Sequence, residues 1–479
     1  MKKRLKLFMG LTFASVQCVL AQQIPGLQYS NYGGLYRATY NPATLGASRY
    51  KFQINIGSLG GSINHRYLTF LGKNSLLYPL LTPHSTQELY GRSRTMGSIV
   101  QKDPLYLVSE IRWPSAMISI GDNQGIAFQF RSRGYVQGKN IPDAVRNLYF
   151  KRLDTGSNPV LSNQAWGDFS LVQQSFSEAS VSYGIALLNT EVHKLKVGAT
   201  LKKIFGARVG YLKGSVDNYG IRALNSETSE LLINNFTYES GYTQVTQPVK
   251  VGNLFDSKQY GSGWGYDLGA SYEFGSVWKN DKEEFDQSPQ YLIRLGVSAT
   301  DIGSIRYKTA NSRVVTGSQA TAVVNQTTLE KIADNGPEGF MDVFAAKTDA
   351  SFDKKVRLPQ ALHFDADVQL IKGFFLNLSQ TKRAKSNSSE SLDIFLPNTF
   401  TITPRFEDED SDFAFPVSFI DGNKKPSFGF LSHFGPIFLG FSDVNVLFKK
   451  SGVGMVYVGV SAWKLKGGKK LGSTGSGKN

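Results

Sequence analysis

Cysteine is almost absent from this chain: one residue in 479, Cys18. It lies inside an N-terminal run that reads as an export signal, so the remainder has none, and a disulfide scaffold is excluded. Long apolar runs are missing too. Beyond that leader no stretch approaches the ~18 apolar residues of a membrane-crossing helix, and mean hydropathy is mildly negative. Histidine is scarce, and His65, His84, His193, His363 and His433 have no metal-ligand spacing to one another. No Gly-x-Ser-x-Gly occurs, nor a local Ser/His/Asp set. The sequence therefore predicts no enzyme, no metal site and no cofactor.

The leader itself is explicit. Lys2, Lys3, Arg4 and Lys6 precede an apolar core from Leu7 to Leu20, and Val19-Leu20-Ala21 offers small −3/−1 residues before Gln22. Residues 1–21 are expected to be a signal peptide for the general secretory pathway, cleaved after Ala21. Gln17 stands where a lipoprotein signal needs a small residue, which favours ordinary cleavage over lipidation at Cys18. The net charge is +15, of which the leader supplies four. Export argues against nucleic acid as the counterpart of this charge. Anionic lipopolysaccharide at an outer rim, or plain solvation, fits better.

What is abundant is alternation. In the segment Ala361–Leu370, Leu362, Phe364, Ala366, Val368 and Leu370 share one face; His363, Asp365, Asp367 and Gln369 share the other. Similar two-faced segments recur at 51–70, 103–121, 126–133, 176–188, 194–205, 263–274, 290–302, 374–380, 398–406, 413–420, 427–433, 437–443 and 453–463. In 194–205 the apolar set Leu195, Val197, Ala199 and Leu201 opposes Lys194, Lys196, Thr200 and Lys202. That makes about fourteen strands, each near the ~9–11 residues a tilted strand needs to cross a bilayer. Connections alternate between long (about 71–102, 136–175, 215–262 and 303–359) and short (122–125, 189–193 and 371–373). An all-β, antiparallel, up-and-down transmembrane barrel predicts this; a soluble sandwich does not.

The expected organisation is a lead-in over 22–50, a barrel over 51–464 and a disordered basic tail over 465–479, in the cell outer membrane of a Gram-negative bacterium. Outer-membrane lipids and lipopolysaccharide are the expected surroundings. Trp463, closing the last strand, suits an interfacial aromatic girdle and, by analogy, recognition by barrel-assembly machinery. The inner faces supply the candidate lumen-lining residues: His363, Asp365, Asp367 and Gln369, with Lys194, Lys196 and Lys202 as candidates to face them across the lumen. Buried charges must be paired, so these groups could also seal it.

Other motifs read more plainly. Gly472 to Lys478 has P-loop spacing but lacks the flanking strand and helix that hold phosphates. Asp408, Asp410 and Asp412 have calcium-loop spacing, yet Phe413 and Phe419 stand where Gly and Glu are needed; an acidic turn is expected. Ile141, Val145 and Leu148 recur at helical spacing in 140–153, and Thr327-Thr328-Leu329-Glu330 reads as a capping box opening a short loop helix.

Residues 31–56, with Asn31-Tyr32-Gly33-Gly34, Asn41-Pro42-Ala43, Ser48-Arg49-Tyr50-Lys51 and Ile54-Asn55-Ile56, resemble the start of a Bacteroidota outer-membrane barrel family of unknown function. Pro114-Ser115-Ala116-Met117, Thr300-Asp301-Ile302-Gly303-Ser304-Ile305 and Gly435-Pro436-Ile437-Phe438-Leu439-Gly440 resemble further blocks of it. More distantly, the Asn-Pro-Ala block is similar to that of FadL-type transporters for hydrophobic compounds and of PorV, the barrel of type IX secretion. That resemblance implies fourteen strands and an N-terminal hatch within the lumen, with Asn41, Pro42 and Ala43 as hatch residues. It implies a conduit or binding barrel for small, hydrophobic molecules, or alternatively a structural, partner-docking barrel as in PorV. It names neither a substrate nor a protein partner.

Overall fold

The computed structural model describes residues 26–64, 68–70, 93–95, 105–142, 144–145, 160–190, 192–225, 228–243, 254–255, 260–275, 291–309, 312–335, 337–344, 347–349, 352–384, 392–408, 411–421, 425–445 and 453–466. The signal peptide, the Gly472–Lys478 run, Asp410 and most of 140–153 lie outside the described residues; within 140–153, Ala144 and Val145 are helical.

The wall strands, in chain order, are β1 (Tyr50–Asn64), β2 (Leu105–Arg112), β3 (Ser115–Ile120), β4 (Gln124–Lys139), β5 (Leu161–Asn189) and β6 (His193–Ala223). The strand β7 (Ser229–Thr243) precedes β8 (Gly261–Phe274) and β9 (Ile293–Thr309), and β10 (Ser312–Val324) follows them. The remainder are β11 (Phe352–Arg357), β12 (Ala361–Ile371), β13 (Phe374–Arg383), β14 (Thr399–Glu407), β15 (Ser411–Ala414), β16 (Val417–Ile420), β17 (Phe430–Phe434), β18 (Ile437–Phe441) and β19 (Val453–Leu465). Several pairs of short strands are two halves of one stave, as β2 and β3 are, both lying along β1 and interrupted at Trp113-Pro114. Proline lacks the N–H a ladder needs, which accounts for the break.

Every pairing is antiparallel, and β1 pairs with β19 from Tyr50↔Leu465 to Asn64↔Val453, so the sheet closes on itself with fourteen staves. Among the described residues, closure leaves the barrel proper without an edge strand, the condition for a sheet to sit in lipid. The alternation sorts as the pattern requires. Phe52, Ile54, Ile118, Phe128, Tyr266, Leu268, Leu295, Phe364 and Phe419 are exposed on the outside, while Gln53, Gln129, Asp267, Arg294 and Asp367 are buried inside. Short turns at 121–123, 190–192, 372–373 and 435–436 gather at one end, together with the start of β1 and the end of β19. This is the short-turn end of the barrel.

At the opposite end the wall continues. The strands β5 and β6 run for 29 and 31 residues, about three times what a bilayer crossing needs. Beyond the barrel proper, β6 turns its ladder from β8 to β7, and β7 pairs with β10. Helices α1 (Gln326–Asn335) and α2 (Pro337–Phe344) cover this extension. Phe340, Met341 and Phe344 pack with Trp166, Tyr219, Phe236 and Tyr238 in its own apolar core. The expected capping box at Thr327–Glu330 is displaced. The helix starts earlier, and Asn325 caps it by accepting from Thr328 N at 2.9 Å, while Glu330 accepts from Gln326.

Candidate functional site

The barrel interior is layered, and the first layer is the chain's own N-terminal segment. Residues 26–49 are buried or half-buried throughout, inside the short-turn end. They comprise turns over 26–33, a seven-residue helix Gly34–Tyr40 and a 3-10 turn Pro42–Leu45. Asn41 ends the first and starts the second. Its Oδ1 accepts from Ala43 N at 3.0 Å, and its Nδ2 donates to Ala270 O at 3.0 Å on β8. Pro42 at the first turn position has no N–H to orphan.

The wall is hollowed to receive this turn. Gly125, Gly184, Gly198 and Gly269 are register partners on the four adjacent strands β4, β5, β6 and β8. A Cβ on Gly198 would collide with the Pro42 carbonyl, and one on Gly269 with the Asn41 side chain. The row of missing side chains is thus the seat of Asn41-Pro42-Ala43.

Polar contacts hold the rest of the segment. Asn31 Nδ2 donates to Glu407 and to Tyr291 OH, both at 2.8 Å, and its Oδ1 accepts from Arg294 at 2.8 Å. Ser30 donates to Asp412 at 2.8 Å, Leu35 N to Gln53 at 2.7 Å and Ser298 to Tyr40 O at 2.7 Å. Burial pushes the Tyr32 phenol up to about 12. Asp412, assigned to an acidic turn on sequence grounds, is instead buried and also contacts His433 Nδ1 at 3.1 Å.

Above the segment lies a chain of charges. Arg112, Glu110, Arg131, Glu178, Arg133, Asp301, Lys202 and Asp267 follow one another with alternating sign across the inner faces of β2, β4, β5, β9, β6 and β8. Their separations include 2.6 Å for Arg112–Glu110, 2.7 Å for Arg133–Asp301, and 2.7 Å from Lys202 to each of its two aspartates. Four cations meet four anions, so the chain is neutral as a whole. Full pairing is what permits charges at this depth. A second cluster ties Arg405 to Asp367 through two 2.7 Å bonds and to Glu407, with Arg294 3.3 Å from Asp367.

The third layer is apolar. Val108, Tyr135, Phe176, Ile204, Val209, Tyr211, Ile305, Tyr307, Val356 and Leu358 point inward from the wall beyond the charges. Leu392, Ile394 and Leu396 fill the space between them, on a stretch without strand structure that leads into β14. Gln137 on β4 anchors that stretch: its Oε1 accepts from Phe395 N at 3.2 Å.

The residues expected in the lumen all face inward. His363, Asp367, Gln369, Lys196 and Lys202 are buried; Asp365 and Lys194 are half-buried. Their partners differ from expectation. Lys196 pairs with Glu273 at 2.6 Å and Lys202 with Asp267 and Asp301, on strands next to or near their own, rather than with the Ala361–Ile371 set across the lumen. His363 lies between Thr300 and Thr381, at 2.8 and 3.0 Å. Alternation alone leaves Glu110, Arg294, Arg405 and Glu407 unremarked, although each occupies the inward parity of its strand. Among the described residues no cluster of His, Cys, Asp or Glu is arranged to hold a metal ion.

A closed antiparallel barrel with an apolar outer belt and a filled polar and aromatic interior defines a membrane-spanning β-barrel protein. The chain belongs to a family of unknown function, DUF5723, whose model matches residues 42–442. No curated protein matches it. Among solved structures it is similar to a deltaS2S3 mutant of the TodX monoaromatic hydrocarbon channel, at 12% identity and TM-score 0.41, covering 91% of this chain and 95% of that one. It is similar also to the Pseudomonas putida toluene transporter TodX, at 10%, TM-score 0.36 and 93% and 98% coverage. The translocator domain of the autotransporter NalP from Neisseria meningitidis matches at 9%, TM-score 0.31 and 88% and 93% coverage. At these values none carries an argument about function.

Proposed function

We propose that the protein is an outer-membrane conduit or binding barrel for small apolar or amphipathic molecules, held shut at rest by two of its own segments. The observation that carries this reading is the apolar chamber in an otherwise charged interior. Its occupants, Leu392, Ile394 and Leu396, belong to no wall strand. An apolar compartment with a few convergent tyrosines is the usual composition of a small-molecule site, and here a segment outside the wall strands fills it as a ligand would. In this reading residues 26–49 are a hatch, the short-turn end faces the periplasm and the extension built on β5 and β6 stands outside the cell.

The test is saturable binding of an apolar fluorophore such as N-phenylnaphthylamine to the purified barrel, with identification of co-purified lipids by mass spectrometry. Replacing Ile394 and Leu396 by serine should vacate the chamber and raise the number of probe molecules bound. No probe binding by either form, with no co-purified ligand, would sink the proposal.

A second reading has its own support. The β7–β10 extension with its separate aromatic core is far larger than a loop needs to be, and a partner-docking barrel, PorV-like in role, would use such a platform. Loss of a co-purifying protein on truncating the extension would favour it.

A further inference from the structure

The stretch that fills the apolar chamber is held in the manner of a bound peptide. Leu392, Ile394 and Leu396 are buried there, and their spacing of two is that of an extended chain presenting every second side chain to one side. Its main chain is bound as well. Gln137 Nε2 donates to Phe395 O at 3.4 Å, and Gln137 Oε1 accepts from Phe395 N at 3.2 Å. One side-chain carboxamide thus exchanges both bonds with one residue's backbone, as a hydrogen-bonded pair does in an antiparallel ladder. Two residues earlier, Asp393 Oδ1 accepts from Arg357 N at 3.0 Å, at the close of β11. The Lys139 ammonium lies over the Phe395 ring, 4.7 Å from its centre.

A chamber for hydrocarbon has no use for a carboxamide. Gln137 is 1% exposed and occupies the inward parity of β4, two residues from Tyr135 of the chamber wall. Gln174, fully buried between Val172 and Phe176 on the inward face of β5, adds a second carboxamide to the same layer. A buried amide needs a donor and an acceptor as partners, and a ligand without polar atoms would strand it. Phe395 supplies both to Gln137 through its backbone. Main-chain bonds combined with pockets for alternate side chains are the means by which proteins hold extended peptides.

We propose that the chamber is a binding site for a short apolar peptide in extended form, with residues 392–396 as its built-in occupant and Gln137 as the residue that reads the peptide backbone. The inference rests on the reading of the chamber as a ligand site and narrows the class of its ligand. An incoming peptide places apolar side chains where Leu392, Ile394 and Leu396 stand, and the backbone of its fourth residue on Gln137. An acidic side chain at its second position meets the Arg357 N–H. Hydrocarbons fill the same volume but leave Gln137 unpaired.

The test uses the mature chain in an uncharged detergent and the fluorescein-labelled peptide Leu-Asp-Ile-Phe-Leu, the sequence of residues 392–396, followed by anisotropy. Saturable binding is expected, at least tenfold tighter to the double variant Ile394→Ser, Leu396→Ser than to the parent, whose own segment competes. Methylating the phenylalanine amide nitrogen of the peptide removes the donor that Gln137 Oε1 accepts from, and should weaken binding at least fivefold without any change to the protein. Gln137→Leu in the double-variant background should weaken the plain peptide similarly and bring the two peptides within twofold of each other. Heat-modifiable gel mobility confirms that each variant is folded, and N-phenylnaphthylamine titrated into the same samples reports apolar capacity alone. Fluorophore binding without peptide binding, or peptide binding indifferent to the methyl group or to Gln137→Leu, overturns the proposal and leaves the apolar-ligand reading standing. Binding of neither removes both.

Discussion

Gly198 of β6 lies directly beneath Pro42, so close that a Cβ there would meet the Pro42 carbonyl and the Ala43 nitrogen. The relationship makes one wall position a handle on the N-terminal segment. Gly198→Val should lift the 3-10 turn off the wall while the β-ladder, which suits valine, persists. Overpacking of this kind costs roughly 1–3 kcal/mol. Limited proteolysis of the folded barrel should cut within residues 26–49 in the variant and spare them in the parent.

The bidentate pair between Arg133 and Asp301, at 2.7 and 2.8 Å, joins the two halves of the alternating charge chain. Asp301 also holds Lys202. Asp301→Asn should therefore leave two buried cations short of one anion and destabilise the barrel by about 3–5 kcal/mol. The temperature at which the folded gel band converts to the unfolded one should fall clearly, whereas Asp353→Asn, in an exposed pair with Arg306, should shift it little.

Leu268 and Leu224 are equally exposed, at 54% and 53%, but at different heights. Leu268 lies in the apolar belt of β8, and Leu224 follows the far end of β6 in the extension. Leu268→Arg should cost about 2–4 kcal/mol in a bilayer and impair membrane assembly. Leu224→Arg should be tolerated. The amount of folded protein in outer-membrane fractions reports both.

Phe340 packs edge-on against Phe236 and Tyr238, with ring centroids 6.2 and 5.2 Å away. Phe340→Ala should remove about 3–5 kcal/mol from the extension's own core without touching the barrel. Hydrogen exchange should rise in β7, β10 and α2 and stay low in β12 to β14.

How much of this was legible in the sequence follows the chemistry of alternation. Where a strand is lipid-facing on one side and polar on the other, as at Leu362 to Gln369, period two marks it, and the fourteen staves and the inward parity of His363, Asp365, Asp367, Lys194, Lys196 and Lys202 come with it. The extension is harder to read because its parity breaks. Leu231 and Ile233 share a core with Phe236 and Tyr238 because the strand changes parity at Asn235, whose φ is 49°, while its register with β6 and β10 stays the same on both sides. A strand so interrupted resembles a loop. Ion partners are harder still: which of several inward charges meet depends on strand order and stagger, and these arise only on closure. The glycine row under Asn41-Pro42-Ala43 is visible residue by residue, but its alignment is a property of register.

In the proposed function, residues 26–49 and the stretch around Ile394 close the barrel from within. Planar-bilayer conductance tests it most directly, comparing the mature protein with a variant carrying Gly198→Val, Asn31→Ala, Ile394→Ser and Leu396→Ser. A silent parent and a variant with stable, ohmic openings are expected. An openly conducting parent, or a folded variant as silent as the parent, would contradict it.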